Sequence, residues 1–313
     1  MIEATRCTLT IAVCTYDRTD LLRQSLASLV ALSDAVSREI LVVDNADEEG
    51  GSATTKAVVD EFGERASVPV RYIAARGPNI SLARNVAIEA TNGEILAFVD
   101  DDMLAPDGWA DVVVEVMEST KADAFLGNVL PQLLPGGEPL PDLDLIYTRR
   151  LSLPEGGRVW PTRYGHYKNA RSANSAFRMA TTFDRGLRFD PAFGTTGGED
   201  TDIFAALYPF DPVVTYSLRG WMWELIPPER QKEDYLMRRC FRGSQVFVRA
   251  MVKHSKRPLL TGLKHRLIGV VQWLSATLKP ARSDAAAFHK RIAKSLAVGK
   301  IHWDAADPLR HYH

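Results

Sequence analysis

Asp100, Asp101 and Asp102 stand side by side directly after the apolar, β-prone run ILAFV at 95–99. Three adjacent carboxylates repel one another and load the strand end they share. Such a run is either a solvated turn or a place where a cation takes up the charge. Mg²⁺ and Mn²⁺ prefer carboxylate oxygen, and Mg²⁺ typically accepts one or two carboxylates and fills its shell with phosphate and water. On a strand running into a turn, Asp100 and Asp102 can face the same way with Asp101 turned aside. That spacing suits a cation that also holds a diphosphate. A second acidic set, Glu199, Asp200 and Asp202, follows Gly197-Gly198 at the start of a predicted helix. Acids favour helix N-termini, which accounts for one or two of them but not for the two glycines. Asp44 closes the apolar run at 39–43 and is placed to accept hydrogen bonds from a nucleobase or ribose. Arg84, behind the loop at 76–80, is placed to pair with phosphate, as is the helix start itself.

These residues need a scaffold, and the first 130 positions supply a repeating one. Short apolar runs at 9–14, 39–43, 70–73, 95–99 and 124–129 read as strands buried on both faces. Between them, 20–32, 54–62, 81–90 and 109–118 have helical spacing, with Ser81 as a cap for the third. This βαβα order predicts an α/β fold, a mainly parallel, Rossmann-like sheet flanked by helices. Ligands in such sheets sit outside the carboxyl ends of the strands. Three of those ends carry polar groups: Thr15-Tyr16-Asp17-Arg18, Asp44-Asn45 and the aspartate run. Residues 131–170 are rich in Pro, Gly and aromatics and read as a long irregular connection, the kind that usually carries function. A strand is predicted at 172–179 and a helix at 230–252. Leu263, Leu267, Val271, Leu274 and Leu278 make an apolar stripe across 253–279, with basic residues around it and Trp273 beside it. A basic amphipathic helix binds membrane surfaces or packs on its own domain, and the pattern alone supports both readings.

The composition narrows the classes. The 313 residues carry a net charge of −1 and 46% apolar residues, which fits a well-packed globular chain and argues against bulk nucleic-acid binding. Cys7, Cys14 and Cys240 lack zinc-type spacing and cannot all pair, so they read as reduced thiols of a cytosolic protein. The first residues lack a signal-peptide layout, and no segment has the apolar length of a membrane span. The expected location is therefore the cytoplasm, either free or peripheral on the inner face of the cell membrane.

Four segments in order, VCTYDR (13–18), ILVVDNAD (40–47), GPNISLARNVAIEATNGEILAFVDDD (77–102) and GGEDTD (197–202), resemble glycosyltransferase family 2, whose nucleotide-sugar-binding fold is called GT-A. The resemblance implies an inverting, metal-dependent transfer from a nucleotide diphosphate sugar, a UDP-sugar above all, with a β-linkage formed from an α-donor. It places Thr15 and Arg18 in the first nucleotide-binding loop, Asp44 on the base and Arg84 near the nucleotide or its diphosphate. Asp100 touches ribose or sugar, Asp101 belongs to the same donor site, and Asp102, with Asp100, holds Mn²⁺ or Mg²⁺. Asp200 is the expected catalytic base, with Glu199 as its alternative. The tract from Trp221, Trp223 and Glu224 through PPERQKEDYLMRRCFRGSQ is similar to bacterial members that extend exopolysaccharide repeats on a lipid carrier, succinoglycan-type enzymes among them. The implied acceptor is a glycan or lipid-linked oligosaccharide. Trp221 or Trp223 would stack on a sugar, and Arg230, Arg238 and Arg239 would meet a diphosphate. Asn128, Asn174 and the 131–170 loop are expected to shape the sugar pocket. The implied division is a catalytic domain over 1–229, with a nucleotide-sugar part (1–130) and an acceptor part (131–229), and a helical region over 230–313.

Other classes fit less well. A dinucleotide-dependent oxidoreductase needs a glycine-rich turn after the first strand, and CTYDRTD has no glycine. A nucleotidyltransferase shares the carboxylate–metal chemistry but wants a Gly/Lys/Arg-rich first loop. A non-catalytic sugar-binding protein would not need Glu199 and Asp200.

Overall fold

The computed structural model describes residues 7–305 apart from 34, 47–50, 76, 163–165 and 168–169. In chain order the elements are β1 (Cys7–Thr15), α1 (Thr19–Val30), β2 (Arg38–Asp44), α2 (Ala53–Gly63), β3 (Val70–Ala74) and α3 (Ile80–Ala90). There follow β4 (Gly93–Asp100), β5 (Met103–Leu104), α4 (Trp109–Thr120), β6 (Ala124–Leu133), α5 (Leu143–Tyr147) and β7 (Gly157–Arg158). The last are β8 (Ser175–Arg178), α6 (Glu199–Leu207), β9 (Val214–Ile226), α7 (Glu233–Lys253), α8 (Pro258–Leu278) and α9 (Asp284–Ile301). Among the described residues nine strands form one sheet in the order β3-β2-β1-β4-β8-β6-β9-β5, with β7 paired to β9.

Strands β3, β2, β1 and β4 are parallel to their neighbours, and β6 and β9 are parallel to each other. The short β8 lies antiparallel between β4 and β6. The apolar runs have no polar alternation because both faces of the sheet are covered. Leu9, Ile11 and Val13 pack under α1, α2 and α4 with Leu22, Leu26, Val58 and Val113. Ala12, Cys14, Leu96 and Phe98 pack on the other side with Ala83 and Ala87 of α3 and Ile203 and Phe204 of α6. Register then does the positioning. Thr15 pairs with Asp44, and Cys14 pairs with Asp100, so three polar strand ends lie at one level of one edge.

Several local expectations change. The cap of α3 is Asn79, whose Oδ1 accepts from the Leu82 N–H at 3.2 Å. Ser81 is instead fully buried inside the first turn. The predicted strand at 172–179 shortens to β8 because Asn174 adopts a left-handed conformation (φ 53°) and Ser172–Ser175 form a turn. The sequence pattern does not predict the 13-residue β9, because Arg219-Gly220 breaks its apolar run. That glycine is needed: a Cβ there would come within 2.4 Å of the Phe125 ring.

Candidate active site

The polar strand ends open into a cleft of about 270 Å³ that α6 and α7 wall off from the opposite side. Each aspartate of the run is handled differently. Asp101 is a strut between strands: Thr15 Oγ1 donates to its Oδ2 at 2.8 Å and Arg18 to its Oδ1 at 3.2 Å. Asp102 is equally buried, and its Oδ2 accepts from Arg230 at 2.8 Å with Arg18 at 3.5 Å. Its Oδ1 is buried with no hydrogen-bond partner. Asp100 faces the cleft with 40% of its side chain exposed and Arg84 at 3.4 Å. Partial desolvation inside the cleft, with Asp102 and Asp200 nearby, raises the Asp100 carboxyl to about 7 against the pull of Arg84.

Arg84 spans the site. It is 4% exposed and donates to Glu199 at 2.8 Å and to Asp200 at 3.4 Å besides reaching Asp100. It lines the cleft from inside this carboxylate cage. The two glycines before Glu199 now have a cause. Gly197 and Gly198 hold φ +80° and +96°, and a Cβ on Gly198 would meet Val246 Cβ at 2.6 Å. Only glycine supplies both the left-handed turn and the approach of α6 to α7. Asp200 Oδ1 accepts from the Ser172 N–H at 3.0 Å and from the Ser172 hydroxyl, while its Oδ2 has no hydrogen bond among the described residues and the side chain is 21% exposed. Burial alone would raise the Asp200 carboxyl, but Arg84, Arg171 and Ser172 outweigh it and hold it below the usual range. Glu199 goes the other way, raised by burial and by the Asp200 charge. Asp202 lies outside the cleft, 1% exposed, and clamps α6 to the end of α7 through Lys253 and His254, each at 2.8 Å.

Other expected residues fall farther from the chemistry. Asp44 is fully buried and accepts from the Ala46 and Ser52 N–H groups and the Tyr72 hydroxyl, at 3.1, 2.7 and 2.9 Å. Its neighbour Asn45 lines the cleft instead, with Nδ2 buried and unpartnered. Trp221 and Trp223 contact each other edge to face at 5.1 Å and lie outside the cleft walls. Asn174 spends its side chain on the Asn128 and Gly220 carbonyls and on Trp109, and Asn128 accepts from the Tyr216 hydroxyl. Both act as internal braces. Arg230 and Arg239 line the cleft, whereas the exposed Arg238 does not. The sequence reading missed Arg149, Arg171 and Arg242 on the same walls and did not place Glu224 there, which Arg149 contacts at 3.1 Å. Their one sequence signal is the arginine density of 149–171 and 238–242.

Two carboxylates at one strand end, one with a buried unpartnered oxygen, fit a hard cation whose remaining ligands come from diphosphate and water. No cluster of three or more His, Cys, Asp or Glu among the described residues would hold a metal by protein ligands alone.

The family model described as glycosyl transferase family 2 matches residues 10–192, which include the β1 loop, Asp44, Arg84 and the aspartate run. The chain belongs to this family. This family 2 glycosyltransferase is 29% identical over 245 residues to the succinoglycan biosynthesis protein ExoM of Rhizobium meliloti (strain 1021), covering 78% of its own length and 75% of ExoM. Its fold is that of S. aureus TarS residues 1–349 in complex with UDP-GlcNAc, at TM-score 0.52 and 15% identity over 95% of this chain and 91% of that one. It spans 55% of the longer TarS chain. The fold is also that of the mannosyltransferase PcManGT from Pyrobaculum calidifontis in complex with GDP-Man and Mn²⁺, at TM-score 0.56 and 15% identity over 96% and 87%. The expected GT-A architecture is thereby met. The glycine pair and Glu199-Asp200 lie beyond the matched residues, so their part in the site rests on the geometry above.

Proposed function

We propose that the protein is an inverting glycosyltransferase in which Asp200 deprotonates the acceptor hydroxyl and the aspartate run binds a nucleotide diphosphate sugar, UDP-linked by preference. The observation that carries this reading is the state of Asp200. One oxygen is fixed by Ser172 and Arg84 while Oδ2 makes no hydrogen bond among the described residues, on a side chain 21% exposed that lines the cleft with Asp100 and Asp102. The acceptor oxygen attacks the anomeric carbon, which gains oxocarbenium character as in glycoside hydrolysis. Asp200 Oδ2 takes the hydroxyl proton as the C–O bond forms. A carboxylate this acidic is a weak base, so proton transfer follows bond formation, when the attacking oxygen has become acidic. A single displacement needs no second carboxylate nucleophile, which leaves Glu199 to hold Arg84 and thereby the base.

Asp102, through its free Oδ1, and Asp100 would hold Mn²⁺ or Mg²⁺, which supplies Lewis-acid neutralisation of the departing diphosphate. Arg171, Arg239 and Arg242 make no ion pair among the described residues while they line the cleft. Burial, with Arg239 and Arg230 adjacent, pushes the Arg242 guanidinium below its usual range. Three such groups around one cleft fit an anion, and the diphosphate of the donor or of a lipid-linked acceptor meets that need. The likeness to ExoM supports an acceptor of the exopolysaccharide kind.

Calorimetric titration of UDP with Mn²⁺ tests the donor site and turnover tests the base. Wild type binds UDP, Asp102→Ala loses the metal-dependent part, and Asp200→Asn keeps UDP binding while its turnover falls about 10²–10⁴-fold. Wild-type protein that binds no nucleotide with or without the cation sinks the donor assignment. Unchanged turnover in Asp200→Asn sinks the base.

A further inference from the structure

No helix among the described residues is long and apolar enough to cross a membrane, yet α8 turns its apolar side chains outward. It packs on α9 and the turn after it through two buried glycines. A Cβ on Gly262 would meet the Trp303 ring at 2.5 Å, and one on Gly269 would meet the Ala297 carbonyl at 2.8 Å. At about 100° per residue the opposite side of the helix carries the leucines. Leu259, Leu263, Leu267, Val271, Leu274 and Leu278 are 88, 53, 57, 65, 45 and 79% exposed. A contiguous exposed apolar face of this kind marks an interaction surface. Trp273 stands at its margin, 39% exposed, with Lys294 over its ring at 5.8 Å.

Charge decides what covers the face. Residues 253–282 contain seven Lys and Arg and no Asp or Glu. A second copy of the chain would bring that positive charge against itself, whereas an anionic surface complements it. Lys256, Arg257, Lys279 and Arg282 are exposed at the two ends of α8 and make no ion pair among the described residues. Lys264 and Arg266 flank the apolar arc on either side, Arg266 already held by Asp304 and the Ile301 carbonyl, so the positions that face the lipid phosphates are Lys264 and the four basic residues at the helix ends.

We propose that α8 seats this protein on the surface of an anionic lipid bilayer, apolar face at the headgroup–acyl boundary and basic flanks on the phosphates. One helix separates the seat from the cleft. His265 of α8 contacts the ring of Phe247 at 5.8 Å, and Phe247 lines the cleft from α7. His265 lies on the side of α8 opposite the leucines, so the helix stands between a bound bilayer and the α7 wall that carries Arg239 and Arg242, and holds that wall about one helix diameter (~10 Å) from the membrane surface. The docking itself does not depend on the transfer reaction.

The test is co-sedimentation of the full chain with phosphatidylcholine vesicles made with and without phosphatidylglycerol, with no donor or acceptor present. Binding is expected at least about tenfold tighter to the anionic vesicles and weaker as salt rises. The triple variant Leu263→Glu, Leu267→Glu, Val271→Glu stays in the supernatant. The variant Lys256→Glu, Arg257→Glu, Lys279→Glu, Arg282→Glu loses the anionic preference by about fivefold or more for each charge. Both variants melt with the wild type, since every substituted side chain is exposed. Wild-type protein that ignores anionic vesicles, or binds neutral ones equally well, overturns the proposal. So does a wild-type dimer in sedimentation equilibrium that Leu263→Glu dissociates, which would assign the face to a second copy.

Discussion

Replacing Arg84 by methionine removes the one cation that Glu199, Asp200 and Asp100 share, and its cost can be worked from their exposure. Arg84 and Glu199 have side chains 5% and 10% exposed and meet at 2.8 Å. Breaking such a pair on one side costs about 3–5 kcal/mol, because a charge stays buried without compensation. Asp200 and Asp100 are 21% and 40% exposed and 3.4 Å away, so solvent screens them and they add little. The loss therefore sits near the lower end, about 3 kcal/mol, or about 6–12 °C in Tm at about 2–4 °C per kcal/mol.

Thermal and urea unfolding of Arg84→Met, Glu199→Gln and the double variant measure this directly. The double variant should regain at least about half of the single loss, because a neutral amide no longer needs the guanidinium. The pH dependence has a definite sign. Burial and Asp200 already raise the Glu199 carboxyl, and without Arg84 it rises further above its unfolded value. The folded state then binds the extra proton above the unfolded carboxyl pKa, so the deficit of Arg84→Met shrinks as pH falls through the raised Glu199 value. A single-variant loss under about 1 kcal/mol, or a double variant no better than Arg84→Met, would refute the cage. A deficit that does not change with pH would remove Glu199 as the group left exposed to its cost.

Three further outcomes follow from local geometry. Gly198→Ala meets a left-handed φ of +96° and Val246 at 2.6 Å, so it should lose about 1–3 kcal/mol in urea unfolding and lose turnover more steeply, because Asp200 rides on the same turn. Asp200 is held below the usual carboxylate range, so the base stays ionised from about pH 5 to 7 and a pH–rate profile should show no acid limb from it there. Its depressed value also stabilises the fold above the unfolded carboxyl pKa, a contribution lost as pH falls through the folded value. Burial pushes the Cys14 thiol up to about 12, so a disulfide reagent at about pH 8 should leave it unmodified until the protein is unfolded. Rapid native labelling at that position would mean the core under the β1 loop opens.

The half of the fold that was readable is the half with a local signal. Leu9, Ile11 and Val13 alternate with Thr10, Ala12 and Cys14, all of which are buried, and a fully apolar run ending in polar residues announces a strand at a ligand edge. Thr15, Arg18 and the aspartates could be named because each lies within a few residues of such an end. Glu224 and Arg149 could not. Glu224 sits on β9, whose alternation breaks at Arg219-Gly220, and Arg149 sits in the irregular stretch at 131–170, so neither has a period to place it. Asn128 and Asn174, expected to shape the sugar pocket, show why: a polar side chain near a strand end serves either a ligand or a turn. Asn174 adopts the left-handed turn conformation and spends its amide on neighbouring carbonyls. Side-chain direction at such a position depends on partners far along the chain.

The same dependence explains how three adjacent carboxylates persist at one strand end. Asp101 is satisfied from β1 through Thr15 and Arg18. Asp102 is satisfied on one oxygen from Arg230, 128 residues away, and its backbone carbonyl accepts from Leu225 of β9 at 2.8 Å. Asp100 is left open to the cleft beside Arg84 of α3. Each partner comes from a different element, so the repulsion within the run is relieved only when β1, α3 and the β9–α7 segment are all in place. Arg230, Arg239, Arg242 and Phe247 follow residue 229, and they complete a cleft whose strand ends all precede it. A cut after residue 229 would keep every carboxylate of the site together with Arg18 and Arg84, and would take away Arg230, the partner of Asp102 Oδ2.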